Sequence, residues 1–436
     1  MKLCIKNGLI INPKTHLIAV GNLWIQQDKI SCIEMDKECI GMIPPKSDEG
    51  TRIIDATGKL VIPGLIDLHV HLREPGLEYK EDVESGCNAA ARGGFTTICC
   101  MPNTNPVIDN KDVVELIDGK AKKANGVKVL PIGAMSKGQE GTELAGIEEM
   151  VNAKAMGQKL VGSGICGISE DGKSLADVNI MIQALNTAKK FKLPVFSHAE
   201  DLKMPGSAMG EALITARDIM LSKETGCPIH FCHVSIKEAV DLIRDAKKDG
   251  LSVTAETAPH YFTLNKELIK GDTNKKMNPP LRNKDDVEAI IKGLTDGTID
   301  IIATDHAPHS KKEKDCDYEK AANGVVGLET SFAVSYTNLV ETGTMSLMKL
   351  IETMSSRPAE IIGLDRGDIT PGKAADIAVI DVEKSFVVDP VDFLSKAGNS
   401  PFIGFELFGK VLYTIADGEI IWESKTGGHA DDRSVN

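Results

Sequence analysis

The chain has 436 residues, of which 63 are acidic and 50 basic, so its formal net charge is -13 at pH 7. That length suits a (β/α) barrel of about 250 residues with a second module. The acidic balance argues against nucleic-acid or anionic-membrane partners, which require clustered Lys and Arg, and no apolar run reaches the roughly 18 residues of a membrane span.

Both ends of the chain carry short alternating strands, in Met1–Asp55 and Ala375–Trp422. Asn7-Gly8 and Asp417-Gly418 are hairpin signals. Because these regions flank the centre of the chain, we expect them to meet in one small β-sandwich domain. The polar tail Ser424–Asn436 is expected to fray.

The centre of the chain alternates short β-rich runs with amphipathic stretches such as Ser174–Phe191 and Lys237–Lys248. This alternation predicts parallel strands with crossover helices. Eight such runs predict a TIM-like (β/α)8 barrel over residues 59–370, with residues 1–58 and 371–436 forming the β-domain. The runs are Gly64–Leu72, Phe95–Met101, Val127–Gly133, Lys159–Ser169, Pro194–Ala199, Ile229–Val234, Leu251–Thr257 and Ile299–Thr304.

Polar residues fall where these runs end, which is where a barrel of this kind carries its catalytic groups. His69 and His71 are two residues apart, so a strand points both rings to one face. Later runs end at His198, His233 and Asp305. Neutral imidazoles with a carboxylate suit zinc or a similar divalent ion, and a bound metal makes hydroxide available at neutral pH. The sequence therefore predicts a metal-dependent hydrolase.

A site with two ions needs an anionic ligand between them. The candidates are the adjacent carboxylates of Glu170 and Asp171, which end the fourth run. Successive side chains point to opposite sides of a strand, so only one should reach the metals. The residues alone leave the choice between them open.

Other polar groups near the run ends fit an anionic substrate. Arg73 lies two residues after His71, Asn103 follows the second run, and His309 follows Asp305 by four residues. An Arg can hold a carboxylate through two parallel hydrogen bonds. Asn278, in a proline-rich loop, is a substrate contact or only a turn residue.

Some polar residues are expected to stand apart from the site. By strand alternation His230 should face the helical layer, and His306 has no evident partner. His260 is ambiguous, with a place beside the ligands as one option. The lysine-rich stretch Lys311–Lys314 is expected to be a solvated or mobile loop. The ten cysteines lie in apolar stretches without regular spacing, which favours inert thiols in a reducing cytoplasm.

Four motifs carry a resemblance to a known family: Pro63-Gly-Leu-Ile-Asp-Leu-His-Val-His-Leu-Arg-Glu-Pro-Gly76, Met101-Pro-Asn-Thr104, Lys276-Met-Asn-Pro-Pro-Leu-Arg282 and Ala303-Thr-Asp-His-Ala-Pro-His309. The chain resembles the bacterial stand-alone dihydroorotases of the amidohydrolase superfamily. The first motif alone indicates only the superfamily, and the other motifs narrow the resemblance to the dihydroorotases.

The resemblance implies roles for individual residues. His69 and His71 would bind one metal, His198 and His233 a second, Asp171 would bridge both, and Asp305 would bind the first metal and shuttle the proton. Two Zn²⁺ ions per subunit are implied. The implied contacts to the substrate are Arg73, Asn103 and His309 on its carboxylate, with Asn278, Asn323 and Gly324 around its ring.

The implied reaction is the reversible cyclisation of N-carbamoyl-L-aspartate to L-dihydroorotate by a metal-bridging hydroxide, in pyrimidine synthesis, with a homodimer suggested by the resemblance. One alternative is a hydantoinase or allantoinase, which usually supplies a bridging lysine. Lys159 and Lys173 are poorly placed for that role. A second alternative is a catalytically silent scaffold, although a scaffold would not need to keep all six ligand candidates.

Overall fold

The computed structural model describes residues 2–35, 38–42, 50–153 and 164–425. Two sequence predictions therefore fall partly outside the described residues: the beginning of the run Lys159–Ser169, including Lys159 itself, and most of the tail Ser424–Asn436.

The N-terminal region begins with an antiparallel pair. Asn7-Gly8 does not make the predicted hairpin, because Asn7 adopts φ +60° and a β-bulge there lets the strand continue. The chain turns instead at Pro13–Thr15. The strands of this region are β1 Lys2–Asn12, β2 Leu17–Gln26, β3 Lys29–Glu34, β4 Cys39–Gly41, β5 Thr51–Asp55 and β6 Leu60–Pro63.

The central region forms an eight-stranded sheet in which successive strands pair in parallel, as the sequence predicted. The first strand closes on the last through the His71 amide, which donates to the His306 carbonyl at 2.8 Å. The strands are β7 Leu65–Val70, β8 Phe95–Cys100, β9 Lys128–Ala134, β10 Gly167–Ser169, β11 Val195–Ser197, β12 Ile229–Phe231, β13 Val253–Thr257 and β14 Ile301–Ile302.

Helices cover the outside of this barrel. In α6, Ala239, Val240 and Ile243 are buried towards the strands while Lys237 and Lys248 face water, the amphipathic pattern of a barrel helix. Among the described residues, none of the helices combines the length and apolarity needed to cross a bilayer. The helices are α1 Val83–Arg92, α2 Lys111–Ala121, α3 Ile147–Val151, α4 Val178–Phe191, α5 Ala208–Thr225, α6 Lys237–Lys248, α7 Pro259–Thr263, α8 Lys284–Asp296, α9 Lys311–Lys314, α10 Ser331–Ser335, α11 Leu347–Ile351 and α12 Arg357–Ile361.

One expectation about these segments was wrong. Lys311–Lys314 is the short helix α9 and not a solvated loop, and Lys314 is only 5% exposed. Ser310 caps the helix by exchanging hydrogen bonds with Glu313, which starts α9 within a sequence that otherwise reads as charged and mobile.

The C-terminal strands β15 Ile377–Val387, β16 Glu406–Ala416 and β17 Glu419–Glu423 complete a second sheet with β1–β6. β15 pairs antiparallel with β6, and the predicted Asp417-Gly418 turn joins β16 to β17. This nine-stranded sheet has an apolar core of its own. The expected barrel with a β-domain built from both ends is therefore confirmed, while the exact domain limits stay predictions.

Candidate metal centre

The barrel strands deliver six residues to one spot beyond their carboxyl ends. His69 Nε2 lies 3.4 Å from Asp171 Oδ1 and 3.5 Å from Asp305 Oδ1. All six residues are at most 7% exposed. They are His69 in β7, His71 directly after β7, Asp171 after β10, His198 after β11, His233 after β12 and Asp305 after β14.

The donor atoms form two groups with Asp171 between them. His69 and His71 lie with Asp305, and His71 Nε2 is 3.2 Å from Asp305 Oδ1. On the other side, His198 Nδ1 lies 2.8 Å from His233 Nε2. Asp171 Oδ1 is 3.4 Å from His198 Nδ1 and 3.7 Å from His233 Nε2.

The two adjacent carboxylates that the sequence could not separate point in different directions. Asp171 faces the four histidines, whereas Glu170 accepts hydrogen bonds from the Ser136 amide at 3.0 Å and from the Ser136 hydroxyl. Glu170 therefore lies outside the cluster. Burial raises the pKa of Glu170 against the effect of these hydrogen bonds.

Two carboxylates of the cluster are held ionised. Burial opposes their charge, but the nearby His69 and hydrogen bonds from His198 and His233 hold the pKa of Asp171 well below its usual range. For Asp305, burial is again opposed by His69 and His71, which lower its pKa to about 2. Both groups are thus acceptors near neutral pH.

Backbone strain accompanies these side chains. Arg73, His233 and Asp305 have φ of +61°, +36° and +48°, in the left-handed region that residues with a side chain rarely adopt. Such strain costs about 1–3 kcal/mol per residue and concentrates at functional sites.

A cavity of about 170 Å³ opens beside the cluster. Arg73 lines it, and its guanidinium also donates from Nε to the Pro308 carbonyl at 3.2 Å. Asn103 accepts from His71 Nδ1 at 2.9 Å and donates to Asp171 Oδ2 at 3.2 Å, so it holds two of the cluster's side chains as well as facing the cavity. The wall is completed by Asn278, Asn323 and Gly324.

His309 stands behind this wall. Its Nε2 lies 2.8 Å from the Asn323 carbonyl and 3.4 Å from Arg73 Nη2, and Lys80 Nζ lies 3.3 Å from its Nδ1. Burial, Arg73 and Lys80 lower the pKa of His309 to about 3. The ring is therefore neutral, with its proton on Nε2, where the carbonyl accepts it.

The amidohydrolase family model matches residues 60–421. The chain is 45% identical to the dihydroorotase of Acetivibrio thermocellus over 440 residues, covering 97% of this chain and 99% of that protein. It is 44% identical to the dihydroorotase of Clostridioides difficile, covering 96% and 99%. The chain belongs to the amidohydrolase family, among the dihydroorotases. The resemblance stated from the four motifs is confirmed.

Solved structures of hydantoinases share the fold over nearly the whole chain. The L-hydantoinase of Arthrobacter aurescens superposes with a TM-score of 0.83 at 25% identity, covering 97% of this chain and 96% of that one. A D-hydantoinase gives a TM-score of 0.84 at 26% identity, covering 98% and 96%.

The clustered residues suit the divalent metals on which this superfamily typically depends. Among the described residues, His69 Nε2, which faces Asp171 and Asp305, is buried without a hydrogen-bond partner, an arrangement that is unfavourable unless another group satisfies it. His69, His71 and Asp305, and likewise His69, Asp171 and His233, bring ligand atoms within 4.8 Å of one another. Imidazole nitrogens and carboxylate oxygens are the donors that borderline divalent ions prefer.

Two carboxylates that orient the histidines were missed from the sequence. Glu256 Oε1 lies 2.6 Å from His69 Nδ1, and Glu200 Oε2 lies 3.2 Å from His198 Nε2. Burial opposes the charge of Glu200, but hydrogen bonds from His198 and the Gly206 amide lower its pKa to about 2. The sequence carried a signal for both residues, because each is an acidic residue in or just after a barrel strand.

The expectation for His230 was wrong. Its Nε2 lies 3.0 Å from Glu256 Oε2, and its ring meets Phe196 edge-on inside the barrel. The expectation assumed that one strand runs from His230 to His233, so that the two side chains point to opposite faces. In the structure β12 ends at Phe231, and the chain turns at His233 with φ +36°. The turn shifts the parity, so both histidines face inward.

His306, which was expected to have no partner, and His260, whose place the sequence left open, are both buried. His306 Nε2 lies 3.3 Å from Glu81 Oε2, and its Nδ1 accepts from the Gly327 amide at 3.2 Å. Burial lowers the pKa of His260 to about 4, against the nearby Asp305. The His306 ring therefore ties the segment that follows Asp305 to Glu81 and to the Gly327 amide.

Proposed function

We propose that the protein is a dihydroorotase that interconverts N-carbamoyl-L-aspartate and L-dihydroorotate. The observation that carries the proposal is the position of Arg73, which lines the same cavity as His71, Asp171 and Asp305. A guanidinium next to a hydrolytic site selects a substrate that bears a carboxylate close to the scissile amide. The relatives named dihydroorotase, matched over nearly their full length, support this choice.

The metals we propose are two Zn²⁺ ions per subunit. His69, His71 and Asp305 would hold one, His198 and His233 the other, and Asp171 would contact both. Such ions lower the pKa of water and polarise a carbonyl oxygen. Metal analysis of the purified protein, with about two equivalents of zinc, is the expected result.

The remaining steps belong to the chain's own residues. Arg73, with Asn103 beside it, holds the substrate carboxylate and so fixes the ring in the cavity. The neutral His309, which the resemblance implies as a third contact, lies behind the wall with its Nε2 3.4 Å from Arg73 Nη2 and supports that guanidinium. Asn278 and the backbone of Asn323 and Gly324 contact the ring. During ring opening, an Asp305 carboxylate oxygen accepts the proton of the attacking water and passes it to the departing ring nitrogen.

The hydantoinases share the fold and supply the competing proposal. A hydantoinase usually supplies a bridging lysine. Lys173, the candidate lysine among the described residues, donates from Nζ to the Gln139 carbonyl at 3.2 Å instead, which argues against a hydantoinase. An absorbance assay with dihydroorotate, hydantoin and allantoin separates the two. We expect turnover of dihydroorotate and its loss in Asp305→Asn with metal retained. Turnover of hydantoin or allantoin with none of dihydroorotate would reject the proposal.

We further propose a cytoplasmic homodimer whose partner is a small-molecule substrate and not a nucleic acid or a membrane. The support is the family likeness, the acidic net charge of -13 and the irregular cysteine spacing. Light scattering of the purified protein should give about twice the 46.9 kDa chain mass, and a monomer would contradict the proposed assembly.

A further inference from the structure

Lys314, the last residue of α9, has an unusual environment for a lysine. Its side chain is buried, and no ion pair joins it to a carboxylate among the residues that the structure describes. Its ammonium instead donates to three backbone carbonyls, those of Lys276 at 3.2 Å, Ala322 at 2.9 Å and Gly324 at 2.9 Å. Buried lysines normally have an anionic partner, so this arrangement calls for a reason.

The three carbonyls belong to the two loops that build one wall of the cavity. Lys276 precedes Asn278 by two residues, and Ala322 and Gly324 flank Asn323. The loops also touch directly, since the Gly324 amide donates to the Lys276 carbonyl at 3.0 Å. The ammonium therefore joins the residue groups proposed to contact the substrate ring.

The wall leaves little room for displacement. Gly324 has φ +144°, and a Cβ there would lie 2.7 Å from the Ala307 carbonyl oxygen and 2.9 Å from the His309 ring. His309 itself is bonded to the Asn323 carbonyl. Movement of 322–324 would thus disturb His309 and, through it, the setting of Arg73.

We propose that Lys314 is a positioning residue for substrate binding, whose ammonium ties the loop at 276–279 to the loop at 322–324 and so holds the ring-contacting wall and His309 in place. This inference rests on the proposed function for the identity of the substrate. It requires no contact between Lys314 and the substrate.

The charge of Lys314 gives the role a pH dependence. Burial, and to a smaller extent Lys276, lower the pKa of Lys314 to about 8, and Asp272 and Cys316 oppose the shift. Below this pH the ammonium has three hydrogens for three carbonyls. Above it, the neutral amine has only two and is a weaker donor. The KM for dihydroorotate should therefore rise as the pH passes 8.

The test compares Lys314→Met with Lys312→Met, an exposed lysine on the same helix. Because each lost bond to a charged donor is worth about a tenfold factor or more, we expect Lys314→Met to raise KM at least about tenfold. The kcat and the metal content should stay near those of the parent protein. Lys312→Met should leave all three unchanged.

Two further readouts separate positioning from a general structural role. Lys314→Arg, which stays charged, should recover part of the KM and remove its rise above pH 8. Hydrogen exchange without substrate should speed up in Lys314→Met at 276–279 and 322–324 and not at the metal-ligand strands.

An unchanged KM in Lys314→Met, or an equal loss of kcat and metal with no change in KM, would overturn the inference. So would unchanged exchange in the two loops. Failure of the parent protein to turn over dihydroorotate would instead count against the proposed function. The same variants would then be compared by hydrogen exchange and by their KM for whichever cyclic amide the parent protein hydrolyses.

Discussion

Arg73 combines a strained backbone with a buried charge. Its φ is +61°, the residue is 9% exposed, and burial lowers its pKa against the favourable effect of Asp305 and Asp171. A guanidinium stays charged even so, since its pKa lies above 12 in water. A protein keeps a strained, desolvated cation where an anion is to be bound.

Replacing Arg73 by Met should therefore weaken binding of the substrate carboxylate. We expect kcat/KM for dihydroorotate to fall by about 100-fold or more, as for a buried charge-assisted contact of roughly 3 kcal/mol. The control is dihydrouracil, the same ring without the carboxylate, for which the variant and the parent protein should give the same rate. An equal loss for both rings would show that Arg73 supports the site in general.

Asp171 and Glu170 provide a matched pair of adjacent carboxylates. Asp171→Ala should lose at least one metal equivalent, because Asp171 alone of the two faces the histidines. Glu170→Ala should keep both metals and lose some thermal stability through the unsatisfied Ser136. Metal analysis after dialysis checks this, and the reverse result would exchange the two roles.

At the scale of elements, the ends of the barrel strands explain why the site was largely predictable. Parallel strands in a closed barrel bring their carboxyl ends together, so polar residues at the ends of predicted runs had to converge. The three-residue strands β10, β11 and β12 are shorter than the predicted runs. After these strands the backbone leaves the sheet and turns towards the site. Such a turn cannot be predicted from the alternation of side chains along a strand. For this reason the sequence placed His230 on the wrong face.

Strand β13 contributes no predicted ligand, yet Glu256 near its end orients His69 and His230. Burial opposes its charge, but His69 and His230 hold the pKa of Glu256 far below its usual range. Glu256→Gln should lower metal affinity by about 10- to 100-fold, the usual effect of removing a carboxylate behind a ligating histidine. Competition with a chelator measures this.

A control for Glu256 is Glu288→Gln on the outer helix α8, which should leave the chelator titration unchanged. If the Glu256 variant titrates like the parent protein, the orientation of His69 does not depend on that carboxylate.

At the scale of the whole molecule, pairing between the chain ends could be expected because both ends read as strands. The buried role of Lys314 could not, since its partners are carbonyls of residues 38 positions before it and 8 and 10 positions after it. A charged sequence stretch is usually solvated. Only the tertiary fold shows that this one supplies donors to two loops.

The junction between the barrel and the nine-stranded sheet contains a buried ion-pair network. Asp376 lies before β15 and is 3% exposed; it receives Lys128 Nζ from β9 at 3.3 Å and Arg366 Nη1 at 3.0 Å. Asp417 Oδ2 also lies 2.9 Å from Lys128 Nζ. The network sits at the amino end of β9, away from the metal cluster.

Asp376→Ala should therefore destabilise the protein without changing its chemistry. The variant leaves the buried Lys128 to share the partly exposed Asp417 with Arg366, and removing one member of a buried pair costs about 3–5 kcal/mol. We expect a Tm several degrees lower and an unchanged kcat/KM at 25 °C. Asp245→Ala, which removes the exposed pair with Lys248, should change stability by less than about 1 kcal/mol. Equal Tm values for the two variants would mean that packing of apolar residues, and not this network, joins the two sheets.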